Sequence, residues 1–476
     1  MAVQLSDSTG ESGFYSVKTV ATVSAGIVAA AGWVPAAECS PPDIVLILAD
    51  DLGYYDLGFQ GSERIPTPNL DRLASQSVRF TDGHVSASVC SPSRAGIMTG
   101  RYQQRFGHEA NVPPRPWGMD VDERTLGQAL KGLGYRTGLF GKWHLGDEPE
   151  QYPTARGFDE FFGLREGHRR YRFDRSHEHD APGDPHNIEH NGIQVAFEGH
   201  LTDWLGDRAV EFIQADDPRP FFAFLSFTAP HAPLEPLQAD MDAAGTDDPY
   251  AGLVYGLDRN VGKVLQVLEA KGRMENTLVW FLSDNGGTVG QASNFPLGGK
   301  KGTEFEGGQR VPFLVSWKNR ISPGVYDAMV SSLDIYPPCI QAAGGSLEQS
   351  RPLDGADLVP YLTGQVSGLP HSRLFWRKLE CAAVRDGDWK LIRVENYGSA
   401  LYNLAEDIGE MHDLAAQMPE KVDQLRRLLQ AWEADKTAPL WEEEEKWVGI
   451  RYRDHTVKFE TGLLPGRIPD SRMLKK

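Results

Sequence analysis

The stretch Asp43–Asp51, DIVLILADD, is a continuous apolar run that ends in two carboxylates. Such a run predicts a strand that is buried on both faces, which is typical of a parallel sheet. A second run of this kind, TLVWFLSDNGG (Thr277–Gly287), ends in Asp284 and Asn285 before two glycines. Functional residues of open α/β sheets lie just past the carboxyl ends of the strands. We therefore expect these polar side chains to lie together at one edge of a central sheet.

Strand and helix patterns alternate on either side of these two runs. Further strands are predicted within Tyr135–Gly146 and Pro220–His231, and helices within Thr67–Phe80, Leu126–Leu133, Asp203–Ala215 and Tyr255–Gly272. This alternation predicts an α/β fold with a mainly parallel central sheet flanked by helices.

The pattern changes after about residue 345. Cys381–Val394 reads as a hairpin with Asp386 and Gly387 in its turn, and Pro419–Asp435 reads as an amphipathic helix before a polar tail. We therefore divide the chain into a leader (1–38), a main α/β domain (39–345) and a smaller α+β C-terminal domain (346–476).

The composition limits the kinds of partner. The 476 residues carry a net charge of −18, which argues against a general affinity for nucleic acid or anionic membranes. An anionic substrate would therefore need a local cationic pocket. Four cysteines are too few for a disulfide scaffold, although a single bridge between Cys339 and Cys381 is possible.

The leader resembles an export signal. An apolar run of small residues follows Lys18 and ends in a Val34-Pro35-Ala36 pattern typical of cleavage sites. The segment before it is long and contains acidic residues, so a plain N-terminal extension is the alternative. We favour export, and hence a periplasmic or secreted protein. No later stretch has the length and apolar character of a membrane span.

Two sets of residues carry chemistry at the predicted strand ends. Asp50, Asp51, Asp284 and Asn285 offer the hard oxygen ligands that suit Ca²⁺ or Mg²⁺, and no Cys/His cluster has zinc spacing. Cys90 stands at the mouth of a predicted helix, with Arg94 one turn further along. Backbone N–H groups, the helix dipole and a guanidinium would converge there, which suits an anion and a reactive side chain.

Several other polar residues are candidates with plainer alternatives. Lys142 and His144 lie two apart on an extended segment, but they could be a solvated lysine and a packed histidine. His231 lies between prolines, which suits a positioned acid or only a rigid turn. Lys300, Lys301 and Arg310 lie in a glycine-rich segment whose glycines permit close backbone approach to a ligand, but they equally mark an ordinary flexible loop.

The sequence as a whole resembles a known family. CSPSRAGIMTGRY (Cys90–Tyr102) resembles the signature of the formylglycine-dependent sulfatases, which belong to the alkaline phosphatase superfamily. The motifs LILADDLGYYDLG, GKWHLG, APHAPL, FLSDNGG, KGTEFEGGQRVP and DGDWKLI…LYNL extend the resemblance over most of the chain. Among these enzymes the chain looks most like the carbohydrate sulfatases of the N-acetylgalactosamine-6-sulfatase type.

The resemblance implies a mechanism. A maturation enzyme would oxidise Cys90 to formylglycine, whose hydrate carries two hydroxyls on one carbon. One hydroxyl attacks sulfur and expels the alcohol, and the other loses its proton so that the aldehyde reforms and sulfate leaves. Asp50, Asp51, Asp284, Asn285 and the modified residue 90 would ligate one Ca²⁺, with Mg²⁺ as the alternative.

The resemblance also implies roles for the remaining candidates. Arg94 would hold the hydrate, and His144 would assist formylglycine turnover. Sulfate would contact Lys142, His231 and Lys301, with His231 as proton donor to the leaving oxygen; Lys301 is preferred to Lys300 because it directly precedes Gly-Thr in the motif. Predicted substrate-facing residues are Glu109, Asn111, His168 and Arg310.

The expected substrate is a sulfated oligosaccharide or polysaccharide. The polar segment His168–His190 would be a functional insertion that contacts the sugar, or else a solvated loop. The alternatives are an arylsulfatase, a phosphoester hydrolase on the same scaffold, and a non-catalytic Ca²⁺-dependent glycan binder if Cys90 stays unmodified.

Overall fold

The computed structural model describes residues 40–111, 117–174, 180–348 and 351–465. The predicted leader 1–38 lies outside these residues, as does Cys39. Within these described ranges, the residues from Pro41 onward form one compact unit. None of the helices in the described ranges combines the length and apolar character needed to cross a membrane.

The strands and helices are numbered in chain order. The strands are β1 (Asp43–Ala49), β2 (Val78–Phe80), β3 (Gly83–His84), β4 (Arg136–Lys142), β5 (Glu160–Leu164), β6 (Glu189–His190), β7 (Ile193–Gln194), β8 (Phe221–Ser226), β9 (Thr277–Ser283), β10 (Phe313–Ser316), β11 (Gly324–Tyr326), β12 (Val330–Ser331), β13 (Arg373–Lys378), β14 (Cys381–Asp386), β15 (Trp389–Val394) and β16 (Gly398–Asn403). The helices are α1 (Pro68–Ser75), α2 (Cys90–Thr99), α3 (Leu126–Gly132), α4 (Leu201–Gln214), α5 (Gln238–Ala244), α6 (Pro249–Ala270), α7 (Glu306–Gln309), α8 (Tyr336–Ala342), α9 (Val359–Leu362), α10 (Pro419–Glu433) and α11 (Glu445–Thr461).

A large sheet forms the centre of the protein, in the order β11-β2-β10-β9-β1-β8-β4-β5-β6-β7. Its five central strands, from β9 to β5, are mutually parallel, while β10, β6 and β7 pair in antiparallel fashion. All seven residues of β1 are buried. Val45 and Ile47 belong to the core on one face, and Ile44, Leu46 and Leu48 to the core on the other. The predicted α/β class is therefore confirmed, and the continuous apolar run of β1 reflects its burial on both faces.

A smaller antiparallel sheet follows, in the order β13-β14-β15-β16, with α10 packed against β14 and β15. This agrees with the α+β character predicted for the C-terminal part, and the boundary at 345/346 stays a prediction. Buried ion pairs cross that boundary, among them Arg385 with Asp82 at 2.7 Å and Lys390 with Glu306 at 2.8 Å.

Local details differ from the sequence-based expectations. The helix predicted through Phe80 ends at Ser75, because Val78 and Phe80 pair as strand β2 with β10 and β11. The hairpin turn lies one residue later than predicted, since Asp386 still pairs with Trp389. The expected polar tail contains the helix α11.

The possible disulfide does not form. Cys339 lies in α8 and Cys381 in β14, and both are free and buried. Cys339 packs in the core beneath the large sheet, while the Cys381 sulfur lies 3.8 Å from His455 Nδ1.

Candidate active site

Four oxygen-bearing side chains meet at the carboxyl edge of the central sheet. Asp50 and Asp51 follow β1, and Asp284 and Asn285 follow its neighbour β9. All four residues are at most 5% exposed. The Asp51 backbone N–H donates to Asp284 Oδ1 at 3.3 Å, and Asn285 Nδ2 donates to Asp51 Oδ1 at 2.7 Å. The two strand ends therefore come together as expected.

Cys90 is the first residue of α2 and points at these carboxylates. Its sulfur lies 3.6 Å from Asp50 Oδ1 and 4.0 Å from Asp51 Oδ1. Burial, only partly opposed by the nearby lysines, raises the pKa of the Cys90 thiol to about 12. An unmodified cysteine here is thus a protonated thiol beside carboxylates, and not an activated thiolate.

Arg94 and Lys142 pair with the buried carboxylates. Arg94 donates from Nε to Asp284 Oδ2 at 3.0 Å, and its Nη2 lies 2.8 Å from the same oxygen as an ion pair. Lys142 Nζ donates to Asp50 Oδ2 at 2.8 Å, and both of these side chains are fully buried. The Arg94 Nη1 donates to the hydroxyl of Ser226 at the end of β8. These contacts fix two cationic groups within the cluster.

Lys301 pairs with the third carboxylate. Its ammonium lies 2.7 Å from Asp51 Oδ1 and 2.9 Å from Asp51 Oδ2. Burial opposes the ionisation of Asp51, but Lys301 and His231 outweigh it and hold the pKa of this carboxyl well below its usual range. Lys300 points elsewhere and pairs with Asp454 at 2.8 Å. Of the two adjacent lysines, the structure brings Lys301 to the cluster, as the motif favours.

His231 lies on the loop after β8, at the rim of the cluster. Its Nδ1 lies 2.6 Å from the Ala232 carbonyl oxygen, and its Nε2 lies 3.6 Å from Asp51 Oδ2. Burial lowers the pKa of this imidazole to about 4, despite the opposing effect of Asp51. The Tyr171 hydroxyl lies 2.8 Å from the His231 carbonyl oxygen and fixes this turn.

His144 lies two residues beyond β4 in a left-handed backbone conformation, with φ of 57°. Within the described part of the chain, neither of its buried ring nitrogens has a hydrogen-bond partner. Burial first, and then Lys142 and Arg94, hold the pKa of this imidazole well below its usual range. Gly167 lies against the ring, and a Cβ added there would lie 2.7 Å from His144 Cε1.

Residues 42–345 match the Sulfatase family model, which covers more than half of the chain. The chain belongs to the sulfatase family. The curated relatives agree and are sulfatases with matches over most of both chains. Human arylsulfatase G is 33% identical over 397 residues, covering 75% of this chain and 75% of that protein. Mouse N-acetylgalactosamine-6-sulfatase is 34% identical over 394 residues, covering 76% of this chain and 74% of that protein.

Solved structures extend the agreement to the whole fold. Ps i-CgsB in complex with k-i-k-neocarrahexaose superposes with a TM-score of 0.81 at 36% identity, covering 87% of this chain and 97% of that chain. A phosphonate monoester hydrolase of Agrobacterium radiobacter, at 21% identity and a TM-score of 0.62, shares the fold alone. The protein is accordingly a sulfuric ester hydrolase with the alkaline phosphatase-like sulfatase fold.

Two of the four predicted substrate-facing residues of this sulfatase are engaged inside the protein. Both carboxylate oxygens of Glu109 accept hydrogen bonds, from Arg377 at 2.6 and 3.2 Å and from the Leu379 backbone at 3.1 Å. Glu109 is only 1% exposed, so the predicted substrate contact does not fit this geometry. Asn111 Oδ1 accepts from the Ser91 backbone N–H at 2.9 Å and thereby caps the first turn of α2.

The other two candidates differ from each other. The exposed ring of His168 lies 6.1 Å from the ring of His231, measured between centroids, so His168 stands beside the cluster. Arg310 instead donates from Nε to the Thr81 carbonyl oxygen at 2.8 Å, and its Nη1 lies 3.2 Å from Asp82 Oδ1. Arg310 is therefore largely engaged in contacts within the protein.

A further pair of residues, which no sequence pattern indicated, lies behind Cys90. The Ser91 hydroxyl lies 2.6 Å from His108 Nε2 and donates to the His144 carbonyl oxygen at 2.7 Å. Burial lowers the pKa of His108 to about 3, so this ring is neutral and packs beside Trp117. Ser91 occupies the variable position of the Cys-x-Pro-x-Arg signature, which gave no sign of this role.

Proposed function

We propose that this sulfatase removes sulfate from a sulfated carbohydrate, with a formylglycine derived from Cys90 as the nucleophile and one bound Ca²⁺. Mg²⁺ is the alternative ion. The observation that carries the proposal is the position of the Cys90 sulfur, 3.6 Å from Asp50, within a cluster that also holds Arg94, Lys142 and Lys301. A nucleophile at this place would meet a sulfate group with cations already fixed around it.

The donor set fits a hard dication. Asp50, Asp51 and Asp284 provide buried carboxylates, and Asn285 Oδ1 is a buried oxygen with no hydrogen-bond partner among the described residues. Oxygen-only sites of this kind suit Ca²⁺. When bound there, the ion would neutralise sulfate oxygens and lower the pKa of the hydrate of residue 90.

The chain's own residues have separable tasks. Arg94 would hold residue 90 in place, while Lys142 and Lys301 would bind and orient the sulfate oxygens by charge-assisted hydrogen bonds. His231 presents Nε2 towards the same space and would protonate the leaving oxygen; an anion beside it would raise the pKa of the imidazole from its low value. His144, with both ring nitrogens unpaired among the described residues, would act on the hydrate.

The carbohydrate assignment draws on the relatives and on the rim of the site. Mouse N-acetylgalactosamine-6-sulfatase and the complex with k-i-k-neocarrahexaose are both named for sugars. At the rim, His168 lies beside His231 and within 5.3 Å of His186, measured between ring centroids. Within the segment 168–190, Arg169 and Asp180 form a buried ion pair at 2.8 Å. A segment fixed in this way suits the wall of a substrate-binding site.

The remaining parts of the proposal come from the sequence. The signal-like segment in residues 1–38 supports export to the periplasm or the outside of the cell. Conversion of Cys90 would require a formylglycine-generating maturation enzyme in the producing cell.

The test combines mass spectrometry with paired substrates. Active protein should carry a peptide in which the sulfur of Cys90 is replaced by a carbonyl oxygen, and Cys90→Ala should fold but lose turnover. Sulfate esters of sugars should be hydrolysed faster than matched phosphate esters and synthetic aryl sulfates. Active enzyme with only unmodified cysteine would refute the nucleophile, and a preference for aryl sulfates or phosphates would refute the substrate class.

A further inference from the structure

The helix α11 packs through an unusual face. Its buried residues are all polar: Arg451, Asp454, His455, Thr456 and Lys458. A helix of a globular protein ordinarily buries an apolar stripe, which holds it by contact area without fixing its position closely. Buried charged and polar groups must each meet a directed partner, so such a face sets the position of whatever it contacts.

Two residues of this face, Asp454 and His455, contact the loop that carries Lys301. Lys300 pairs with Asp454 at 2.8 Å, and the Asp454 side chain is only 3% exposed. On the other side of Lys301, the Glu304 backbone N–H donates to His455 Nε2 at 3.1 Å. The Phe305 ring stacks on the His455 ring, with centroids 5.2 Å apart and an interplanar angle of 24°. The helix therefore holds the loop on both sides of Lys301.

The same contacts continue towards Cys90. Glu304 Oε1 accepts from the Ser88 hydroxyl at 2.9 Å, and the Gly302 backbone N–H donates to the Ser88 carbonyl oxygen at 2.7 Å. Ser88 lies two residues before Cys90. A displacement of Glu304 would therefore displace the start of α2 as well as Lys301.

The other ring nitrogen of His455, Nδ1, also has close neighbours. Its Nδ1 lies 2.9 Å from the Arg451 carbonyl oxygen in the preceding turn and 3.8 Å from the Cys381 sulfur. The Glu304 carboxylate Oε2 also lies 3.1 Å from Nε2, so the backbone and the side chain of the same loop residue both lie against the ring. The ring is fully buried. A residue held this way can transmit the position of α11 to the loop.

We propose that α11 is a positioning element of the active site, in which His455 and Asp454 fix the loop that places Lys301. The inference rests on the proposed function in one respect, which is that Lys301 binds sulfate. Both residues lie beyond position 345, where the match to the Sulfatase family model ends.

The decisive variants are His455→Leu, His455→Gln and Arg451→Leu. Leucine removes the acceptor of the Glu304 N–H, whereas the glutamine amide oxygen can replace it. Arg451→Leu is the matched control, because it breaks ion pairs of the same helix with Glu380 and Glu443 that do not involve the lysine loop. Should His455→Leu fail to fold, Asp454→Asn keeps the side-chain shape and is measured in its place.

We expect His455→Leu to raise the inhibition constant of inorganic sulfate and to lower kcat/KM by about 10-fold to 100-fold, the scale of a misplacement near 1 Å. Amide exchange in peptides covering residues 298–305 should become faster. His455→Gln should largely restore the sulfate inhibition constant, kcat/KM and the exchange rate. Arg451→Leu should leave these three quantities near the parent values, even where its melting temperature falls as much as that of His455→Leu. Lys301→Ala gives the reference loss of sulfate affinity. Adding His455→Leu to Lys301→Ala should lower the sulfate affinity little further.

Equal losses in His455→Leu and Arg451→Leu at equal melting temperature would overturn the positioning role, as would unchanged amide exchange or no recovery with glutamine. The proposed function fails separately. If Lys301→Ala leaves sulfate inhibition unchanged while His455→Leu still speeds exchange in 298–305, the loop is positioned by α11 but Lys301 does not bind sulfate.

Discussion

Gly167→Ala is a small change whose effect can be worked out from the geometry. The added Cβ would lie 2.7 Å from His144 Cε1 and 2.8 Å from Nε2, whereas ordinary contacts begin near 3.4 Å. The ring or the segment must therefore shift by at least about 0.7 Å. Misplacement of a catalytic group by about 1 Å costs on the order of 100-fold in rate. We expect kcat to fall by about 10-fold to 100-fold, while the melting temperature changes little because Gly167 lies at the partly exposed rim.

The assay is a double-mutant cycle on the matured enzyme. If the clash acts through His144, Gly167→Ala should reduce kcat in the parent and add little in a His144→Ala background. Gly449→Ala is the control: it lies on the exposed side of α11 with nothing within 4 Å of an added Cβ, and should stabilise that helix by about 0.5–1 kcal/mol without changing kcat. Full activity of Gly167→Ala, or an undiminished loss without His144, would refute the reasoning.

Three further predictions concern the metal, the C-terminal contacts and the substrate. Elemental analysis should find about one Ca²⁺ or Mg²⁺ per chain, and Asp51→Ala should lose that ion and lower activity by about 10²-fold or more; stoichiometric zinc would contradict the assignment. Arg377→Met should destabilise folding by about 3 kcal/mol in chemical denaturation, since it leaves the buried Glu109 carboxylate unpaired; unchanged stability would show that this pair is not a structural one. His168→Ala should reduce turnover of the sulfated sugar several-fold more than that of an aryl sulfate, because the lysines proposed to bind sulfate are untouched, and equal losses would argue against a sugar contact.

The sequence predicted strands and helices correctly where a local pattern of residues determines them. The apolar runs before Asp50 and Asp284 predicted neighbouring strands of a parallel sheet, and the strands do lie side by side. The sequence-based prediction failed for residues whose contact partner is distant in the chain. Glu109 was predicted to face the substrate, whereas its carboxylate pairs with Arg377 in β13, 268 positions later. The helix α11 was missed because its buried face is polar, so no apolar periodicity marks it.

The charges in the site explain how an acidic protein can hold an anion. Asp50, Asp51 and Asp284 are each paired with a cation, from Lys142, Lys301 and Arg94 respectively. The cluster is therefore close to neutral by itself, and its cations are occupied with carboxylates. A dication bound to the same carboxylates would compete for them and leave the lysine ammonium groups free to turn towards a sulfate group. The affinity for sulfate should then depend on the bound ion as well as on the lysines, and a chain with a net charge of −18 would need no extended basic surface to recognise a sulfate ester.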